Sequence, residues 1–198
     1  MTARLEFWFE FASTYSYPAA MRIEELCARA DVELVWKPLL LGPIFRAQGW
    51  NDSPFNIYEA KGRYMWRDLE RICDRLHLPL QRPTQFPRNG LLPARVVTAA
   101  LGQSWLPAFV RGVYHANFAA DRDIARAEVI AEILDDLRLD ARAVLERAQQ
   151  DEIKQTLREL GEEAAALGIF GAPSFTVGGE LFWGNDRLED AIEWCRRV

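Results

Sequence analysis

The chain has 198 residues, 49% of them hydrophobic and 27% charged, and a formal net charge of −5. This is an ordinary globular composition, long enough for one domain with a large core or one domain carrying an insertion. The acidic balance argues against nucleic acid and anionic membrane as partners. No leader-like segment precedes the first predicted strand and no apolar run approaches the ~20 residues of a membrane span. Cys27, Cys73 and Cys195 are odd in number, far apart and each on an apolar helical stripe, so they read as buried free thiols and the compartment as reducing cytoplasm. His77 and His115 have no ligand spacing with each other or with the cysteines, and no metal is expected.

The first element is a strand, the apolar run Leu5 to Phe11. It ends in Ser13-Thr14-Tyr15-Ser16, and a helical pattern over 14–30 follows, with Ala19, Ile23, Leu26 and Ala30 three to four apart. Val32 to Pro38 is a second strand, so the opening is a strand-helix-strand unit that favours a parallel pair. Residues 39–55 are rich in Gly, Pro, Asn and aromatic residues and read as a packed loop. A periodic helix is expected over 56–77, with Ile57, Lys61, Met65, Leu69, Ile72 and Leu76 on its stripe. Residues 79–92 are irregular, and helices follow at about 93–101, 104–118, 125–136, 140–148 and 150–167. Gly171 to Val177 leads into a strand, Gly178-Gly179 is a hairpin turn, Glu180 to Trp183 returns, and a last helix runs over 187–197. The order β-α-β, helical block, β-β-α predicts an α/β thioredoxin-like fold interrupted by a helical insertion. The expected division is 1–38 with 169–198 as the thioredoxin-like part, the helix near 150–167 packing with it, and 39–168 as the inserted helical domain.

Four places carry candidate chemistry. Ser13 stands where a strand, a tight turn and a helix N-terminus meet. Read alone it is a helix cap; it can equally donate to an anion, since the free N–H groups and the dipole of a helix start favour negative charge. A serine nucleophile would need a base, and neither histidine has a context that suggests one. Pro173, after Gly171-Ala172, is either an ordinary strand-entry proline or a cis-proline facing that turn. Lys61 is one of only three lysines, and on the expected stripe it stands where a hydrophobe belongs. It either snorkels to solvent or directs a cation into a cleft. Asn185-Asp186-Arg187 open the last helix, where Asp186 and Glu189 have the spacing of a capping pair or could bind an amino group.

Taken together, "FEFASTYSYPA", "GAPSF" and "FWGNDRLE" resemble the 2-hydroxychromene-2-carboxylate isomerases, relatives of the kappa-class glutathione transferases in the DsbA-like thioredoxin superfamily. The resemblance extends through "GWNDSPFNIYEAKGRYMWRDLERI" and so covers essentially the whole chain. One departure is Thr14, where the family usually has proline; the hydroxyl of Ser13 and the helix start are kept. The resemblance implies glutathione as a cofactor, with Ser13 supporting its thiolate. It implies that the glutathione cysteine pairs with Ala172 beside a cis Pro173, and that the γ-glutamyl end meets Asn185 and Asp186, with Arg187 adjacent. Asn51 and Lys61 match family positions that contact ligand. It further implies a small aromatic carboxylate substrate and a homodimer. The expected activity is isomerisation by thiolate addition, ring opening, bond rotation and elimination. A kappa-type transferase and a non-catalytic thiol-peptide binder are the alternatives. Without Cys-x-x-Cys, a disulfide oxidoreductase is not expected.

Overall fold

The structure is a computed structural model and describes residues 3–197. Residues 1, 2 and 198, the outer ends of the two terminal segments, lie outside it. Four strands, β1 (Arg4–Phe9), β2 (Glu33–Pro38), β3 (Ser174–Val177) and β4 (Glu180–Trp183), form one sheet in the order β2-β1-β3-β4. β1 and β2 are parallel, and β3 runs antiparallel to both β1 and β4. The β3–β4 turn has φ +56° at Gly178 and +91° at Gly179, the two positive values that a hairpin turn matched to strand twist requires. β1 is buried on both faces. Leu5, Phe7 and Phe9 enter one core with Trp36 and Phe175, and Trp8 enters a second with Leu39, Leu41, Ile44 and Leu160.

The expected strand to Phe11 stops at Phe9, because the backbone beyond it bonds elsewhere. The Glu10 carbonyl accepts from the Ser13 N–H at 2.9 Å and from the Tyr114 hydroxyl at 3.0 Å, and the Phe11 carbonyl accepts from the Asn117 amide at 2.9 Å. The helix expected over 14–30 is two, α1 (Ser16–Ala20) and α2 (Ile23–Ala30). They break at Arg22, whose guanidinium reaches the carbonyl and Oδ1 of Asn185 and the carboxylate of Glu189.

The segment expected as a loop contains α3 (Leu41–Ala47), held by the buried pair Leu41 and Ile44. Pro43 lies in its first turn, where a missing N–H costs nothing. Then come α4 (Pro54–Ile57), α5 (Glu59–Arg75), α6 (Leu91–Ala99), α7 (Leu106–Phe118), α8 (Ala127–Asp136), α9 (Ala141–Ala148) and α10 (Asp151–Ala166). The one helix expected over 56–77 is broken at Tyr58, and the true buried stripe of α5 is Gly62, Met65, Trp66, Leu69, Ile72 and Cys73. Ile57 and Lys61 are exposed, so Lys61 does not occupy a hydrophobic position.

Gly62 explains the break. A Cβ there would lie 2.2 Å from the Phe55 carbonyl oxygen, a backbone atom that no side-chain rotation can move. Alanine ordinarily stabilises a helix interior by up to about 1 kcal/mol over glycine. Here Gly62→Ala is expected to destabilise, by about 1–3 kcal/mol, because α4 must be pushed off α5. The sign of the change in urea unfolding checks this.

At the C-terminal end, Asn185–Arg187 form a single 3₁₀ turn before α11 (Leu188–Trp194). The expected capping pair does not form. Asp186 meets Arg187 at 3.1 Å, and Glu189 is taken by Arg22. No helix among the described residues is long and apolar enough to cross a membrane. The three cysteines are free and buried, and burial pushes their thiols up, to about 12 at Cys27 and about 11 at Cys73. They remain thiols at neutral pH.

Candidate active site

Ser13 is placed by the turn that closes β1. With Tyr114 and Asn117 of α7 holding the carbonyls of Glu10 and Phe11, the loop has little freedom. The Ser13 Oγ accepts from the Ser16 N–H at 3.2 Å and donates to the Ala172 carbonyl at 2.8 Å. It is therefore both a cap of α1 and a bridge to the other side of the site. The Ala172-Pro173 bond is cis. This loop is itself fixed, since the Ser174 hydroxyl donates to the Gly171 carbonyl at 2.9 Å and the Gly184 N–H to the Pro173 carbonyl at 3.0 Å.

Two chambers meet at this bridge. The first, about 780 Å³, opens beside Ser13 and runs under α3 and α4. Its walls are largely apolar, with Leu40, Leu41, Phe45, Trp50, Phe55 and Phe86; Asn51 lines it too. The second, about 1010 Å³, is a groove from Ala172 and Pro173 along Gly184, Asn185, Asp186 and Arg187, with α5 as its other wall. Tyr15, Phe55, Lys61, Ala172 and Trp183 line both. A chamber of this size suits a small organic ligand.

The two chambers have different chemistry. In the groove, Arg22, Lys61, Arg75 and Arg187 stand with Asp68, Asp186 and Glu189, so both signs of charge are available. Asn185 is buried and its Oδ1 accepts from Arg22 at 3.1 Å. Lys61 forms no ion pair among the described residues, and its ammonium lies 4.6 Å from the Tyr58 ring centroid. The Tyr15 hydroxyl donates to Asp68 at 2.9 Å; burial and then this carboxylate push its pKa up, so it stays protonated. In the apolar chamber the buried polar residues are Glu10, Thr14, Ser53 and Arg88. Burial raises the Glu10 carboxyl to about 7, against the opposing pull of the Ala12 N–H. The Thr14 Oγ1 has no hydrogen-bond partner among the described residues.

All the residues singled out in the sequence line these two chambers: Ser13 and Asn51 the first, Pro173, Asn185, Asp186 and Arg187 the second, Ala172 and Lys61 both. Several others escaped sequence reasoning. Lys61, Tyr64, Asp68 and Arg75 fall three, four and seven apart on one polar face of α5, a spacing the sequence does carry. Glu10 could have been found from its phase, since Glu6, Trp8 and Glu10 alternate against Leu5, Phe7, Phe9 and Phe11. Arg22 gave no signal, because its partners lie at the other end of the chain.

Comparison with known proteins agrees with this architecture. The profile of the DSBA-like thioredoxin domain matches residues 4–193. The 2-hydroxychromene-2-carboxylate isomerase of Sphingobium xenophagum is 30% identical over 190 residues, 96% of each chain. Glutathione s-transferase kappa 2 of Caenorhabditis elegans is 26% identical over 96% of this chain and 90% of its own. The solved structure of a 2-hydroxychromene-2-carboxylate isomerase superposes with a TM-score of 0.86 at 24% identity, covering 98% of this chain and 97% of that one. With the β2-β1-β3-β4 sheet, the cis-proline loop and a serine at the helix start, the chain belongs to the DsbA-like thioredoxin family and, within it, to the enzymes of the 2-hydroxychromene-2-carboxylate isomerase family.

Proposed function

We propose that the protein is a glutathione-dependent isomerase of 2-hydroxychromene-2-carboxylate-type substrates, and that Ser13 stabilises the thiolate of bound glutathione. The observation that carries this is the Ser13–Ala172 bridge at the meeting of a charged groove and an apolar chamber. Glutathione has two carboxylates and one ammonium, and the groove offers both signs of charge to receive them. Its cysteine pairs with the backbone of Ala172 beside Pro173. Its γ-glutamyl end meets Asn185 and Asp186, with Arg187 alongside. The cysteine N–H then takes over the Ala172 carbonyl, which frees the Ser13 hydroxyl proton to turn to the sulfur. The Ser16 N–H bond survives this change, because the oxygen goes on accepting while its proton re-aims.

The thiolate adds to the conjugated substrate in the apolar chamber. The ring opens, a carbon–carbon bond rotates, and elimination returns glutathione with a trans-hydroxybenzylidenepyruvate. Lys61, with Asn51, meets the carboxylate or the developing oxyanion. Buried reduced cysteines and a glutathione cofactor fit the cytoplasm, and the reading carries a homodimer. The test is stoichiometry. Sub-stoichiometric glutathione should support full conversion of 2-hydroxychromene-2-carboxylate and be recovered intact. One-for-one consumption would instead make the protein a conjugating transferase, the second reading, which the kappa-class relative favours. Saturable glutathione binding with neither reaction would leave a thiol-peptide-binding protein.

Lys61→Met keeps the stem and removes the charge. Because Lys61 is exposed and forms no ion pair among the described residues, stability should change by no more than about 0.5 kcal/mol. Affinity for ligand, read by calorimetry, should fall. Unaltered affinity and kinetics would remove Lys61 from the site.

A further inference from the structure

Glu10 is a carboxyl that the scheme above does not use. It lines the apolar chamber that also contains Ser13, one turn upstream of it. Its position is tightly set. A Cβ on Gly90 would come within 2.7 Å of Glu10 Oε1, so the carboxyl rests against the bare backbone of Gly90, which lines the chamber too. No cation pairs with it among the described residues. Arg88, on the same chamber, spends its two terminal nitrogens on Asp121 and on the carbonyls of Asn117, Asp121 and Arg122, and its buried Nε has no partner among the described residues. From α7, Tyr114 donates to the Glu10 backbone carbonyl. Burial and Glu10 both keep Tyr114 protonated. Asp52 is taken up by the Ser53 N–H and the Asn56 amide, and Arg46 and Lys61 are exposed. A buried carboxyl without a cation is costly, and a fold keeps one where it has work.

We infer that Glu10 is a catalytic residue that moves the proton of the ring-opening step. The inference rests on the isomerase reading. In a 2-hydroxychromene-2-carboxylate the ring oxygen and the hydroxyl sit on one carbon. Opening breaks the bond from that carbon to the ring oxygen. The hydroxyl loses its proton and becomes the carbonyl, and the ring oxygen gains one and becomes the phenol. One proton leaves one oxygen and one arrives at its neighbour, so no outside acid or base is consumed. The two oxygens of one carboxylate match two oxygens on one carbon: one takes the proton while the other, or the same group protonated, returns it. A group that titrates near neutrality exists in both forms at working pH. The Thr14 Oγ1, 1% exposed and unpartnered among the described residues, adds a second hydrogen-bonding atom to the same wall. A hydrogen-bonding group on the occupant of this apolar chamber, such as the paired oxygens of the chromene substrate, would meet these two residues.

Two measurements test Glu10 against Glu10→Gln, which keeps the shape and cannot exchange a proton. In the first, kcat with glutathione and the chromene substrate should fall by about 100-fold or more, while the KM for glutathione and the titration of its bound thiolate stay as in wild type. A kcat within about threefold of wild type overturns the inference. If the wild type itself shows no isomerisation, the functional reading falls, and the second measurement still judges Glu10. Binding of trans-2-hydroxycinnamate to the glutathione-loaded protein is followed by calorimetry near pH 7 in buffers of different ionisation enthalpy. Wild type should exchange a proton with buffer on binding, and Glu10→Gln should not. Equal proton counts in the two proteins, or no binding at millimolar probe, overturn the assignment.

Discussion

Glu10→Gln should raise the stability of the folded protein by roughly 3–4 kcal/mol at pH 8 and by much less at pH 5. In the unfolded chain the carboxyl ionises near its ordinary 4.5; folded, burial holds it protonated to about 7. A carboxyl whose folded pKa is raised contributes fully below the unfolded value, and that contribution is lost as pH rises through the folded one. The difference of about 2.5 units, at about 1.4 kcal/mol each, gives the figure. Glutamine has no charge to desolvate, so the variant escapes the loss. Urea unfolding of both proteins at pH 5 and pH 8 reads it directly. Parallel stabilities at the two pH values would mean that Glu10 is solvated in the folded state and ionises normally.

Ser13→Ala should cost about 1 kcal/mol of stability, through the lost acceptor for the Ser16 N–H. Its effect on chemistry should be larger. A charge-assisted hydrogen bond to a thiolate contributes about 1.5–3 kcal/mol, equal to roughly one to two pK units. A thiol near 8.5 is only about 3% thiolate at pH 7 without that bond, and roughly a quarter to three-quarters thiolate with it. Turnover of the variant at pH 7 should drop by about 8- to 25-fold and recover partly as pH rises. Loss of turnover that pH does not rescue would point to a collapsed loop, and a melting temperature shifted by more than a cap accounts for would show it.

Much of this site was legible because its pieces lie at element boundaries. The alternation Leu5, Phe7, Phe9, Phe11 ending at Ser13 marks a strand running into a helix, and the Gly178-Gly179 turn marks the returning hairpin. The hairpin signal places β3 beside β4, and in the structure β3 also pairs with β1, which brings Ser13, Ala172 and Asn185 together. Two of the failures come from tertiary contact. Lys61 fell on a stripe read with a period of four, but the start of α5 is decided by the approach of Phe55 to Gly62. The capping pair Asp186–Glu189 has the right spacing, yet Arg22 outcompetes it for Glu189. α3 went unseen because one buried pair, Leu41 and Ile44, makes no period.

Ser13 is proposed to lower the pKa of the thiol of bound glutathione. The measurement is the ultraviolet titration of glutathione thiolate at saturating occupancy in wild type and Ser13→Ala. The midpoint should lie roughly one to two units higher in the variant, with glutathione still bound in the groove. Superimposable titration curves, with only the melting temperature changed, would contradict it and leave Ser13 as the cap of α1.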